Sequence, residues 1–205
     1  MNQKAELKKR WMMISIVLAV IAVVILVYML IAFRNKKDAN GLYETYQMSV
    51  SAGDSAKTVF CMTFMPSDQT YVESLTVGDK STELSKGTYE EKDGTVVLTS
   101  EDKDNVQSFA ISGKYLVATD FLYDGDVPDG DTFEATCKYT NKNNATYTIS
   151  FKKDGTYTLD DNGDSKDGTY KREGDLIKRT DSSGDGAIDY LVYKNQITNS
   201  YYVAK

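Results

Sequence analysis

The first 40 residues contain one long uncharged apolar run, and the rest of the chain alternates between apolar and polar positions. The run extends from Trp11 to Phe33, which is 23 residues without a charge. As a helix it would be roughly 35 Å long at ~1.5 Å per residue, enough to cross the ~30 Å hydrocarbon core of a bilayer. It is too long for the apolar region of a secretory signal peptide. The sequence therefore predicts an uncleaved transmembrane helix over 11–33.

The residues that flank this run predict its orientation. Four basic residues precede it and three follow it: Lys4, Lys8, Lys9 and Arg10, then Arg34, Lys36 and Lys37. This is a small positive-inside bias, and a short arm before one long domain suits the same orientation. We expect a single-pass protein of the cell membrane, with a cytoplasmic arm over 1–10, contacts with membrane lipid over 11–33 and a juxtamembrane linker over 34–40. The part after this linker is then extracytoplasmic.

Beyond residue 40 the apolar positions recur with the two-residue period of strands, and no stretch keeps the period of a helix. Tyr147, Ile149 and Phe151 alternate with polar residues, which predicts a strand with one apolar face. Asp154-Gly155 then predicts a hairpin turn whose two central residues both have positive φ. Strands are expected over 58–64, 70–77, 87–91, 95–100, 106–111 and 115–119, and over 147–152, 156–159, 168–171, 176–180, 187–193 and 196–200.

These strands form two copies of one unit. The sequence 87–89, Gly-Thr-Tyr, recurs at 168–170, and the same offset of 81 relates Phe109 to Tyr190 and Leu116 to Ile197. Farther upstream the offset is 86, so the first copy has five extra residues near 77–85. An internal repeat of this kind predicts two structural units of the same type.

The boundary between the copies is expected in an acidic segment that contains two glycines and Pro128. The sequence therefore predicts a β domain over 41–123, an acidic linker over 124–131 and a second β domain over 132–205. It leaves open whether the two copies form separate domains or one fused barrel.

The order of the motifs resembles small lipocalin-like β-barrel domains, which occur in tandem on membrane-anchored bacterial surface proteins. The second copy carries the resemblance at Phe151, Asp154, Gly155, Tyr157, Gly168, Tyr170, Gly174 and Asp175. The first copy departs from it, because Gln69 replaces the turn glycine and Asp93-Gly94 shifts a later turn by one position. The resemblance implies an all-β ectodomain of two antiparallel meander or lipocalin-like units, preceded by one transmembrane helix. It implies no reaction.

Charge and composition exclude several classes of function. The chain has 24 basic and 30 acidic residues, of which seven and two lie in 1–39, leaving 17 and 28 for 40–205. So acidic a region is unsuited to nucleic acid, whose phosphates require clustered Lys and Arg. The chain has no His, which removes the commonest general base and the usual zinc ligand. We therefore expect neither an enzyme nor a bound cofactor.

Cys61 and Cys137 are the two cysteines of the chain. An extracytoplasmic location permits a disulfide. Strand parity argues against one, because Cys61 alternates with Phe60 and Phe64 while Cys137 shares the face of Phe133. A bond would require the two copies to pack edge to edge or to share one sheet, and the sequence leaves the question open.

The segment 181–189 offers a candidate Ca²⁺ site. Oxygen-bearing side chains at Asp181, Ser183, Asp185 and Asp189, with a glycine at the sixth position, resemble the start of an EF-hand loop. Val192 stands where the loop needs a bidentate Glu, and strands rather than helices are predicted on both sides. The alternative is a hairpin turn rich in Asp and Gly, which tolerate positive φ.

The sequence favours a non-catalytic binding or interaction module whose partner is an unknown protein or cell-envelope component. The alternative is a carrier of a small apolar ligand in the mouth of a barrel, and the third possibility is a surface domain that binds Ca²⁺ weakly. A barrel core filled by its own side chains would favour the interaction module. A pocket lined by Tyr and Phe would favour the carrier.

Overall fold

The computed structural model describes residues 37–50, 58–183 and 188–205. These residues belong to one compact unit, Lys37–Lys205, and consist of antiparallel strands with one short 3-10 turn, Thr119–Phe121. The prediction of an all-β fold is confirmed for this part of the chain. The predicted transmembrane segment 11–33 lies outside the described residues and stays a prediction. In the part that the structure describes, no helix has the length and apolar character needed to cross a bilayer.

Eight strands form a closed barrel, which we call barrel 1. They are β1 (Thr45–Val50), β2 (Thr58–Met65), β3 (Thr70–Val77), β4 (Lys80–Lys92), β5 (Thr95–Ser100), β6 (Val106–Ser112), β7 (Tyr115–Ala118) and β15 (Tyr201–Ala204). Seven strands form a second sheet, which we call barrel 2. They are β8 (Ala135–Thr140), β9 (Thr146–Phe151), β10 (Thr156–Asp161), β11 (Asp164–Glu173), β12 (Leu176–Asp181), β13 (Tyr190–Tyr193) and β14 (Gln196–Thr198).

The predicted repeat is present in space, because β2 to β7 and β9 to β14 follow one another with the same antiparallel neighbours. The extra residues of the first copy lengthen the hairpin of β3 and β4, where the register shifts at Glu73 and Ser74. Two barrel-like units of this kind are compatible with tandem lipocalin-like barrels.

The repeated glycine of the Gly-Thr-Tyr motif has a steric cause. A Cβ atom added to Gly87 would lie 2.0 Å from the carbonyl oxygen of Thr99. At Gly168 the corresponding distance, to the carbonyl oxygen of Thr180, is 2.1 Å. Both positions therefore need glycine because the neighbouring strand approaches the backbone too closely for any side chain.

The turn at Asp154-Gly155 is present, but its predicted geometry is wrong at one residue. Only Gly155 has positive φ, at 80°, whereas Asp154 instead accepts a hydrogen bond from the Thr156 N–H at 2.9 Å. Gln69, which replaces the turn glycine in the first copy, has φ of 51°. It is therefore a non-glycine residue in the left-handed region, which costs a side chain roughly 1–2 kcal/mol.

Each barrel is completed by a segment that follows the last paired strand of the other. Strand β15, which follows β14, pairs with β1 and β7 of barrel 1. In barrel 2 the gap between β14 and β8 is bridged by residues 123–127, which follow β7 and its 3-10 turn. The N–H of Tyr123 donates to the Ile197 carbonyl at 2.8 Å, and the N–H of Asp124 donates to the Lys138 carbonyl at 2.7 Å. The two copies thus exchange their final segments.

This exchange bears on the expected division into 41–123, 124–131 and 132–205. The acidic segment contributes to closing barrel 2, and Val127 within it is 1% exposed. The C-terminal strand β15, which falls in the second expected domain, contributes Tyr202 to the core of barrel 1. The two barrels also share an apolar interface in which Val117 and Leu191 are buried.

The two cysteines do not form a disulfide. Cys61 is partly buried, and it alternates along β2 with the buried Met62 and Phe64, as parity predicts. Cys137 is fully buried in the core of barrel 2. Desolvation raises the pKa of its thiol to about 11.

Candidate functional site

Barrel 2 is plugged by aromatic rings at one end. Phe133 packs against Phe151 and Tyr170, with ring centroids 5.2 Å apart in both pairs. The Tyr170 hydroxyl donates to the Phe133 carbonyl oxygen at 2.6 Å, which holds this segment across the end of the barrel. Burying three aromatic side chains here stabilises the closed end by several kcal/mol, at roughly 1.5–3 kcal/mol for each large side chain.

The opposite end of barrel 2 contains a cavity of about 410 Å³. Its lining comes from the ends of β8, β10 and β12 and from the starts of β9 and β11, which antiparallel pairing brings together. The cavity reaches the surface, because two of its lining residues, Phe121 and Ile188, are 46% and 43% exposed. A volume of this size falls within the ~300–1,000 Å³ range of small-molecule pockets.

Aromatic side chains form most of the apolar lining. Phe121, Tyr123, Tyr139, Tyr147 and Tyr190 all contribute, together with Leu159. The ring of Tyr139 lies 5.4 Å from that of Tyr123 and 6.0 Å from that of Tyr147, measured between centroids. Such rings offer flat apolar surfaces with hydroxyl groups at their edges, which suits a ligand with an apolar or aromatic body.

Arg179 is the charged residue at the centre of this lining. Its guanidinium carbon lies 4.9 Å from the ring centroid of Tyr157 and 4.8 Å from that of Tyr190, so cation–π contacts hold it on two sides. Its Nε donates to the Ile188 carbonyl oxygen at 2.9 Å. Within 37–50, 58–183 and 188–205, its Nη1 atom is buried without a hydrogen-bond partner and no carboxylate forms an ion pair with it.

Burial acts on the ionisation of this cluster. Desolvation lowers the pKa of Arg179, but a guanidinium remains protonated in proteins. Desolvation also raises the pKa of Tyr123 and of Tyr190, so both phenols are neutral at physiological pH. Arg179 therefore keeps its positive charge beside the neutral hydroxyl groups of Tyr123 and Tyr190.

Other polar residues surround this charge. Asp161 and Asp181 line the cavity, as do Lys166, Asn141 and Asn199. Asp181 accepts a hydrogen bond from the Tyr157 hydroxyl. On their strands, Asp161 and Asp181 lie two residues beyond Leu159 and Arg179, toward the strand ends that form the mouth. The backbone positions of the two acidic residues are therefore nearer the strand ends than that of Arg179.

Of the residues of the candidate Ca²⁺ site, Asp181 lines this cavity, whereas Ser183 and Asp189 do not. Asp181 is the last residue of β12, Ser183 is exposed in the following turn, and Asp189 lies 3.9 Å from the Lys178 ammonium. Asp185 lies outside the described residues. No group of three or more acidic or cysteine side chains placed to hold a metal is found in the described ranges. The Ca²⁺ site stays a prediction.

Sequence reasoning did not identify Arg179. Its position breaks the apolar alternation of β12, where Ile177 is buried and the next residue on that face is charged. The offset of 81 pairs it with Leu98, which is 2% exposed in the core of barrel 1. The sequence could have indicated Arg179 in one way, because a charged residue stands there at the repeat position of the core residue Leu98.

A comparison of this chain with protein-family models, with curated proteins and with solved structures finds no match.

Proposed function

We propose that this protein is a binding module that holds a small ligand with an apolar or aromatic body in the mouth of barrel 2. The cavity of about 410 Å³ carries the proposal. Its lining combines five aromatic side chains with six polar or charged residues, so it offers apolar surface and hydrogen-bonding groups to one ligand.

The cavity favours the carrier over an interaction module with a filled core. Barrel 2 is plugged at one end by Phe133 and is open at the other, so a ligand has one route in and out. A ligand in such a site is shielded from water without a large rearrangement, because the sheet already supplies the walls. A protein or envelope partner at the outer surface stays the second candidate.

The remaining expectations from the sequence accompany this proposal. We propose that the chain binds without catalysing a reaction, since no His is available as a general base. We also propose that residues 11–33 anchor the barrels to the outer face of a cell membrane, on the length of that apolar run. Both proposals are independent of the ligand.

Pocket-blocking substitutions test the binding proposal. The purified full chain is titrated with N-phenyl-1-naphthylamine, a neutral probe that fluoresces in apolar surroundings. Leu159→Trp places a large ring in the cavity, whereas Thr158→Trp adds the same ring on the exposed face of the same strand. Any signal from the apolar residues 11–33 is common to all variants and cancels in the difference.

We expect Leu159→Trp to weaken probe binding at least about tenfold and Thr158→Trp to leave it within about twofold. Far-ultraviolet circular dichroism and thermal unfolding establish that both variants are folded. Equal binding by the wild type and by Leu159→Trp would show that the probe does not occupy this cavity, and it would overturn the proposed function.

A further inference from the structure

We infer that the ligand of barrel 2 carries an anionic group, and that Arg179 binds this group inside the aromatic mouth. This inference rests on the proposed function and specifies the chemistry of its ligand. The expected class is a small organic anion with an apolar or aromatic body and one carboxylate, sulfonate or phosphate group.

The first argument is that no carboxylate of the described residues forms an ion pair with the Arg179 guanidinium, although Asp189 lies near enough to raise its pKa. A charge taken from water into a protein interior is costly unless an opposite charge or several hydrogen bonds compensate it. In the described part of the chain, Arg179 uses one of its five N–H groups on the Ile188 carbonyl, and Nη1 is buried without a partner. The site therefore holds a cation with one buried nitrogen, Nη1, that donates no hydrogen bond.

The second argument is the way in which the guanidinium is held. The rings of Tyr157 and Tyr190 have their centroids 4.9 Å and 4.8 Å from the guanidinium carbon, and these two contacts restrict the position of the group. A cation–π contact with a ring is not a conventional hydrogen bond, so the N–H donors of the guanidinium can still bind a planar or tetrahedral anion. A side chain whose orientation is already fixed loses little entropy when it binds a ligand.

The third argument is the contrast with barrel 1. Leu98 stands at the same repeat position and is part of a continuous apolar core. The fold therefore does not require a cation at this point of the sheet. The charge in barrel 2 coincides with the presence of the cavity.

The acidic residues of the mouth define which anions can bind. Asp161 and Asp181 oppose a negative charge at the rim, and Asp181 is occupied by the Tyr157 hydroxyl. An inorganic anion gains only from Arg179 and Lys166, whereas an amphipathic anion also buries its body against the aromatic lining. The site is thus expected to prefer organic anions over phosphate or sulfate ions.

The experiment uses two probes that share one ring system. 8-Anilino-1-naphthalenesulfonate is N-phenyl-1-naphthylamine with an added sulfonate, and both are titrated against the full chain. Arg179→Leu reproduces the residue that barrel 1 has at this position. Lys171→Leu removes the same charge from an exposed site on β11 and is the matched control.

We expect Arg179→Leu to weaken binding of the sulfonate probe at least about tenfold. The affinity for the neutral probe should change by less than about twofold. Asp161→Asn should tighten the sulfonate probe about threefold, because it removes a like charge at the rim. Lys171→Leu should change the affinity for neither probe. Excess sodium sulfate at constant ionic strength should not displace the sulfonate probe.

The outcomes separate this inference from the function on which it rests. If Leu159→Trp abolishes binding of the neutral probe and Arg179→Leu leaves both probes unchanged, the pocket binds ligands and the inference is wrong. If Leu159→Trp changes the affinity for neither probe, the proposed function is wrong. If a folded Arg179→Leu variant binds both probes more weakly by the same factor, Arg179 has a structural role and the inference is wrong. If Arg179→Leu does not fold, Asp161→Asn decides: unchanged or weaker sulfonate binding contradicts the inference.

Discussion

The two barrels share buried tyrosines at repeat positions of their cores and differ in the charged residues of their interiors. At the repeat positions of the aromatic core, Tyr71 corresponds to Tyr157 and Tyr89 to Tyr170, and all four are buried. Toward the mouth, Leu98 and Glu73 of barrel 1 correspond to Arg179 and Leu159 of barrel 2.

These differences change which hydrogen bonds the charged groups of each interior make. In barrel 1 the Tyr202 hydroxyl donates to the Glu73 carboxylate at 2.7 Å, so the interior acid has a partner from the chain itself. In barrel 2 the interior cation has an unpartnered Nη1 in the described part of the chain, and in barrel 1 the Oε2 atom of Glu91 is likewise buried without a partner. The compared core tyrosines are identical in the two copies, whereas the two compared positions at the mouth of barrel 2 differ. Functional divergence between the copies is therefore expected at the mouth of barrel 2.

Exchanging the interior residues of the two barrels gives the largest expected effect. Leu98→Arg places an unpaired charge in the filled core of barrel 1 and should lower the free energy of unfolding by about 3–5 kcal/mol. The reverse change, Arg179→Leu, should be neutral or stabilising in the protein without ligand, because it removes a partly buried cation that forms no ion pair within the described residues. Urea unfolding of both variants measures the difference, and similar losses in both would contradict the contrast between the interiors.

A second comparison concerns one residue of β15 and the residue of the 3-10 turn at the equivalent repeat position. Tyr202 in barrel 1 and Phe121 in barrel 2 are related by the offset of 81, and they are 5% and 46% exposed. Tyr202→Ala should lower the free energy of unfolding by about 3 kcal/mol, because it opens a cavity and removes the hydrogen-bond donor to Glu73. Phe121→Ala should lower the free energy of unfolding by less than about 1 kcal/mol. It should also weaken binding of the neutral probe. A stability loss from Phe121→Ala as large as that from Tyr202→Ala would show that both segments are equally embedded.

The cysteines report separately on the two barrels. Cys61 is partly exposed on barrel 1, whereas burial of Cys137 in barrel 2 raises the pKa of its thiol to about 11. Since the thiolate is the reactive form, Cys137 should be alkylated by iodoacetamide at least about 100-fold more slowly than Cys61 at pH 8. Its rate should rise with pH toward 11. Mass spectrometry of tryptic peptides measures both rates, with urea-unfolded protein as the control in which they converge. Equal rates in the folded protein would contradict the burial of Cys137.

The smallest effect is expected at the turn that differs between the copies. Gln69 has φ of 51° where barrel 2 has Gly155 with φ of 80°. Gln69→Gly should stabilise the protein by up to about 1 kcal/mol, because glycine removes the left-handed strain, although part of the gain is lost to backbone entropy. Gly155→Gln should destabilise it by a similar amount. The melting temperatures of the two variants must shift in opposite directions, and shifts in the same direction would show that the turns are not equivalent.

Much of the strand pattern could be predicted from the sequence, because alternation and turn residues are local signals. The strands at Thr70–Val77 and Thr95–Ser100 coincide with the predicted ranges. The exchange of final segments could not be predicted in this way, because the partner of a strand is a long-range property. Residues 123–127 also contain Asp and Gly, which are depleted in strands, so their composition resembles a linker.

The candidate site lies at the limit of what a sequence can reveal. Arg179 was visible as an exception to the repeat, but its significance depends on the cavity beside it and on two tyrosines that lie 22 and 11 positions away in the chain. Side chains from separate strands meet only after the sheet has curved into a barrel. Chemistry assembled in this way has no local motif.

The exchange of final segments has a consequence for how the chain acquires its structure. The last strand of barrel 1, Tyr201–Ala204, is reached only after the whole second repeat has been made. A nascent chain that emerges from the ribosome in order therefore holds an incomplete first barrel, with two open edges at β1 and β7, until synthesis of the second repeat is finished. Contacts this distant in sequence slow folding, and open edges in the meantime invite pairing with other chains. We expect the two repeats to mature together, and neither to be inherited or expressed well without the other.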